Sequence, residues 1–117
     1  MDHERRKQPR VHANLGTEIR LEGGVAAEGI TVDASDGGVL VLSRAHPKVG
    51  TKVALRILRL DIQDPPYEVE GDIARLELLE EPGLWTHRLG VRLVTVPPGL
   101  HDEIQRASDR HRELYGE

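Results

Sequence analysis

Between residues 15 and 96 the chain sets apolar side chains at every second position, in short runs interrupted by Gly and Pro. A period of two belongs to a strand with one face buried and one face wet, and cannot sit on a helix. The first run shows it plainly. Leu15, Thr17, Ile19 and Leu21 fall on one side, Gly16, Glu18, Arg20 and Glu22 on the other, and Gly23-Gly24 turns the chain. The same reading predicts strands over about 25–32, 39–42, 52–60, 67–79 and 84–96, with Pro65-Pro66 and Pro82-Gly83 in the turns. After Pro97-Pro98-Gly99 the period changes. Leu100, Ile104, Ala107, His111 and Leu114 make one stripe at helical spacing, predicting a helix over 100–115 whose sign-alternating charges form a solvated outer face. Six short strands and a terminal helix predict a mainly β (α+β) chain, a six-stranded antiparallel β-barrel with a C-terminal α-helix.

The 117 residues suffice for one domain and one core. Residues 1–10 carry charge without apolar periodicity and predict a flexible arm, ahead of a barrel over 11–96 and the helix over 100–115. A net charge of -4 and only three aromatic residues, Tyr67, Trp85 and Tyr115, argue against a nucleic-acid partner, which would want a basic face and stacking platforms. No apolar run approaches the roughly 20 residues of a membrane-spanning helix, so no membrane span is expected. The absence of cysteine removes a thiol nucleophile and fits a cytoplasmic location. The six histidines show no helical i, i+4 pair and predict no metal site. Neither a nucleophile elbow nor a phosphate-binding glycine loop is present, so an enzyme is not expected and no catalytic residue is assigned.

Two short segments carry the functional signal. Arg5-Arg6-Lys7-Gln8-Pro9-Arg10 contains R-x-x-x-R at Arg6 and Arg10, and Asp33-Ala34-Ser35-Asp36-Gly37-Gly38 contains D-x-S-x-x-G. Arginine presents a planar fork that grips phosphates and the O6/N7 edge of guanine through paired charge-assisted bonds. An ionised aspartate only accepts, which suits the N1–H and amine donors on guanine's other edge. Gly37 and Gly38 permit positive φ and a close backbone approach. Pro9 disfavours helix at Gln8 and directs the arm towards an extended path. Taken singly, the first segment reads equally as a solvated tail and the second as a turn.

In this order, within a β-rich chain, the two motifs resemble those of the PilZ domain family, small β-barrels that bind the bacterial second messenger cyclic di-GMP. The resemblance covers most of the chain, and Gly90-Val91-Arg92-Leu93 is similar to the family's late glycine-bearing strand, with Leu93 where an aromatic is common. It implies ligand contacts at Arg6, Arg10, Asp33, Ser35 and Gly38, with Gly37 beside them. It also marks Arg5 as a position linked to holding one ligand or a stacked pair. The implied protein is a cyclic di-GMP receptor, without other cofactor, whose arm orders on binding and which signals to an unknown protein effector. An adaptor that works by protein contact alone and a small RNA-binding barrel are the alternatives.

Overall fold

The structure is a computed structural model and describes residues 13–35 and 37–115. The expected arm, with Arg5, Arg6 and Arg10, lies outside the described residues.

The described residues form six strands: β1 (Leu15–Leu21), β2 (Ala26–Ser35), β3 (Gly38–Ser43), β4 (Lys52–Ile57), β5 (Tyr67–Leu78) and β6 (His87–Leu93). A single turn of 3-10 helix at Glu22–Gly24 links the first two, and α1 (Leu100–Tyr115) follows the last. The strands close into a barrel in the order β1-β2-β3-β6-β5-β4, every pair antiparallel. Closure leaves no unpaired sheet edge, which protects a small Val- and Leu-rich sheet from pairing with other chains.

The alternation that predicts the strands is the alternation that fills the barrel. Leu15, Ile19, Val41, Leu55, Ile57, Ile73, Leu89 and Val91 all point inward and are buried. Thr17 also points inward. Its hydroxyl donates to the Leu15 carbonyl at 2.8 Å or shares a 2.7 Å bond with the Thr31 hydroxyl, so neither buried oxygen is stranded. Leu93 is buried in the same core.

Several boundaries differ from the sequence reading, each for a local reason. β4 stops at Ile57 rather than Leu60, because the Leu60 N–H leaves the sheet to bond the Glu103 carboxylate at 2.7 Å. β6 spans His87–Leu93 rather than 84–96; Gly83 N–H turns back to the Trp85 carbonyl at 3.1 Å before it. β2 runs on to Ser35 instead of ending at Val32, a difference that decides the site. The helix is where the stripe predicts it, with Leu100, Ile104 and Ala107 buried and Gly99, at φ 89°, making the turn into it. Its charges are not all solvated. Glu103 is 1% exposed and accepts from Leu60 N–H, from Arg59 at 3.5 Å and from Arg106 at 2.5 Å. It thereby ties α1 to the chain that leaves β4. Leu114, by contrast, extends past the core and is exposed.

Candidate functional site

Strict alternation along β2 would bury the motif. Gly29 and Thr31 face inward, so without interruption Asp33 and Ser35 would follow them into the core. A β-bulge prevents this. The register shifts between Thr31 and Asp33, leaving Val32 as the extra residue, so Asp33 and Ser35 turn to the outer face and Ala34 turns in. A second bulge in β5, between Ile73 and Arg75, makes Ala74 the extra residue and turns Arg75 outward in the same way.

With both shifts in place, two rows cross the outside of the barrel from β2 through β3 and β6 to β5. One row reads Asp33, Leu40, Gly90, Arg75; the next reads Ser35, Gly38, Arg92, Asp72. Adjacent strands are about 4.8 Å apart, so each row spans about 14 Å of backbone. The two glycines sit on the middle strands, where side chains would otherwise stand up. The result is an open trough of about 470 Å³ with Leu40, Gly38 and Gly90 as floor, Asp33 and Ser35 on one bank, and Arg75 and Arg92 on the other.

The two motif glycines act for different reasons. Gly37 has φ 103°, the left-handed region that glycine enters without penalty, and it makes the tight turn between β2 and β3. Gly38 does not have positive φ. A Cβ there would lie 2.5 Å from the Val91 carbonyl oxygen, so it is glycine because β6 passes too closely for anything larger. The turn is pinned at both ends. The Gly37 carbonyl accepts from Leu93 N–H at 2.8 Å, and the Ser35 carbonyl accepts from the His101 imidazole at 2.7 Å. His101 lies in the first turn of α1, so the helix touches the motif directly.

Asp33 accepts one local bond, from the Ala34 N–H at 2.7 Å. Its second oxygen has no donor among the described residues. Arg92 is committed elsewhere: its fork meets the Asp72 carboxylate at 2.9 Å and 3.4 Å. That hydrogen bond holds the Asp72 carboxyl below its ordinary range, and Asp72 in turn raises the Arg92 guanidinium above its own. Among the described residues no group of three or more His, Cys, Asp or Glu could hold a metal.

The structure thus brings Asp33, Ser35, Gly37 and Gly38 together at one trough, while Arg5, Arg6 and Arg10 lie outside the described residues. Leu40, Arg75, Gly90 and Arg92 complete it. Of these, only Gly90 and Arg92 carried a signal in the sequence, as part of the late glycine-bearing strand.

An outward-facing aspartate and serine beside a glycine floor stand on a closed six-stranded barrel with a trailing helix, the layout of a small β-barrel domain with an open surface trough. The sequence model of the PilZ domain matches residues 4–110, and the chain belongs to that family. Among solved structures, it is similar to the PilZ domain with c-di-GMP of YcgR from Escherichia coli, at TM-score 0.66 and 17% identity, covering 94% of this chain and 99% of that one. It is also similar to the Bacillus subtilis inhibitor of motility MotI/DgrA, at TM-score 0.54 and 19% identity, covering 92% of this chain. The match spans 54% of the Bacillus protein, about half its length. At these identities the likeness is one of fold. No curated protein sequence matches.

Proposed function

We propose that this chain is a receptor for cyclic di-GMP that binds the dinucleotide in the trough and signals to a protein partner. The observation that carries the reading is the bulge at Val32, which turns Asp33 and Ser35 out of the core onto a floor kept clear by Gly38 and Gly90. A plain turn would not require Asp33 and Ser35 to stand on one outer face beside such a floor.

In this reading the Asp33 oxygen that has no donor among the described residues takes the N1–H and amine of a guanine, and Ser35 bonds at short range beside it. Arg6 and Arg10 close over the ligand from the arm, residues 1–10, and supply the cations for its phosphates. Arg5 would grip a second, stacked dinucleotide. The bonds made by the arm are then the differential contacts that shift it between free and bound states. His101, held on the Ser35 carbonyl, offers a route from the trough to α1 and so to a partner. No described helix is long and apolar enough to cross a membrane, and the role is that of a cytoplasmic receptor, not an enzyme.

Isothermal titration tests this. The wild type should bind cyclic di-GMP. Arg6→Ala and Arg10→Ala should each weaken binding by roughly ten- to a hundredfold, the range of a lost charge-assisted contact. Asp33→Ala should narrow the preference for cyclic di-GMP over cyclic di-AMP, because adenine lacks the N1–H and the 2-amine that a carboxylate reads. A wild type that does not bind, or arginine variants that bind unchanged, would refute the assignment.

A further inference from the structure

A cation outside the sequence motif stands at this trough. Arg75 stands on β5 directly opposite Gly90, at the far end of the row that begins with Asp33. It faces outward only because Ala74 is bulged. Its stem folds back over the glycine: a Cβ built on Gly90 would be 3.4 Å from the Arg75 Cβ and 3.7 Å from its Nε. The guanidinium is thus carried over the floor instead of away from the barrel.

Arg75 also differs from its neighbour in commitment. Arg92 gives two donors to Asp72, and using it for a ligand would mean breaking that pair. Arg75 joins no ion pair or hydrogen bond among the described residues, although Glu77, two residues on, is already taken by Arg88 at 3.0 Å. An arginine with no carboxylate partner among the described residues, on an acidic chain and aimed across a glycine, is placed for a ligand acceptor.

We propose that Arg75 is a specificity-determining contact of the trough, reading the O6/N7 acceptor edge of the guanine whose donor edge Asp33 reads. The inference rests on cyclic di-GMP being the ligand. The row supplies the geometry. Asp33 and Arg75 stand about 14 Å apart at the backbone, and a purine lying flat on Leu40 and Gly90 presents one edge to each. A carboxylate at the N1–H and amine, with a fork at O6 and N7, addresses both faces of the hydrogen-bond pattern that distinguishes guanine from adenine. Adenine puts an amine where O6 stands, and a guanidinium, which only donates, meets it unfavourably.

The test is a binding cycle with two proteins and two ligands: wild type and Arg75→Ala, each titrated with cyclic di-GMP and with its 7-deazaguanine analogue, which lacks N7. Arg75→Ala should weaken cyclic di-GMP binding by roughly ten- to a hundredfold, the span of one bidentate guanine contact. The wild type should penalise the analogue, and Arg75→Ala should lose most of that penalty, since the group that sensed N7 is gone. Arg75→Lys keeps the charge and most of the stem over Gly90 but not the fork, and should behave as Arg75→Ala does. Melting temperatures should agree among all three proteins. Wild-type affinity in Arg75→Ala, an analogue penalty that survives undiminished, or full rescue by lysine would each overturn the inference while leaving the receptor reading intact. A wild type that binds neither ligand would overturn both.

Discussion

Gly90→Ala separates what the barrel needs from what the ligand needs. Gly90 has no positive φ, and its added methyl would touch nothing closer than the Arg75 Cβ at 3.4 Å, an ordinary contact. Glycine within a strand costs about 0.5–1 kcal/mol relative to alanine through the freedom it loses on folding. Alanine should therefore stabilise the free protein by up to that amount, raising the melting temperature by about 2–4 °C for a domain of this size. Binding should move the other way. The methyl would stand about 1.5 Å above the floor, roughly one bond length, and a flat base seated at about 3.5–4.0 Å from its neighbours cannot keep that seat. It must lift off Leu40 or slide away from Asp33 or Arg75, losing about 1.4–2.8 kcal/mol, roughly ten- to a hundredfold in affinity. Calorimetric melting and titration on one preparation read both effects. A more stable variant with undiminished affinity would show that the ligand does not lie on this floor. A melting temperature lowered by several degrees would show that β5 and β6 pack more tightly at Gly90 than the structure has them.

Gly38→Ala is the converse. Its Cβ would lie 2.5 Å from a backbone oxygen that cannot rotate away, so β3 and β6 must part; the expected loss is about 2–3 kcal/mol, and an unchanged melting temperature would contradict it. For the Asp72–Arg92 pair, the depressed Asp72 pKa means that its stabilisation is complete above the ordinary carboxylate range and fades as pH falls through the lowered value. Wild type and Asp72→Asn should therefore differ in melting temperature at neutral pH and converge in acid; a gap that widens in acid would reverse the sign. Glu103→Gln removes the charge shared by Arg59 and Arg106 while keeping the shape, for about 1–3 kcal/mol. Hydrogen exchange at the Leu60 amide should quicken with it, and a slow amide in the variant would show that Glu103 does not hold this join.

Where the chain repeats its period, the fold was legible. Leu15, Thr17 and Ile19, or Val69, Gly71 and Ile73, say which face is buried without reference to any other strand. Where the chain breaks its period, the sequence poses a conflict it cannot resolve alone. After Gly29 and Thr31, alternation sends Asp33 inward, and an unpaired aspartate has no place in a Val- and Leu-lined barrel. Ending the strand at Val32 is one solution; inserting a bulged residue is the other, and only the pairing with β3 decides between them. Arg75 shows the same conflict more quietly. It follows Ile73 by two positions and so falls on the buried side of the pattern, which is why it was not legible as a surface residue at all. Leu40 and Leu42 gave a third signal, an apolar run that leaves outward leucines on the barrel, and the trough floor accounts for Leu40.

Glu103 obeys the same logic on the helix. It is three positions after Leu100 and four before Ala107, on the buried stripe, yet alternating charge along the helix disguised it as one more solvated carboxylate. What separates it from Asp102 and Asp109 is position alone: those two point away from the stripe, whereas Glu103 meets a backbone N–H and two guanidinium groups in the crease between α1 and the chain after β4. A buried carboxylate persists only where such partners replace its water. It fixes the helix at its first turn, and in that same turn His101 holds the Ser35 carbonyl. The join that anchors α1 to the barrel and the contact that links α1 to the trough are thus two residues apart, so a ligand that displaces Ser35 acts on the helix at its anchored end. Loosening Glu103 should for that reason weaken communication between trough and helix as well as stability, a loss that Glu103→Gln would reveal as ligand-induced changes in amide exchange confined to β2 and β3.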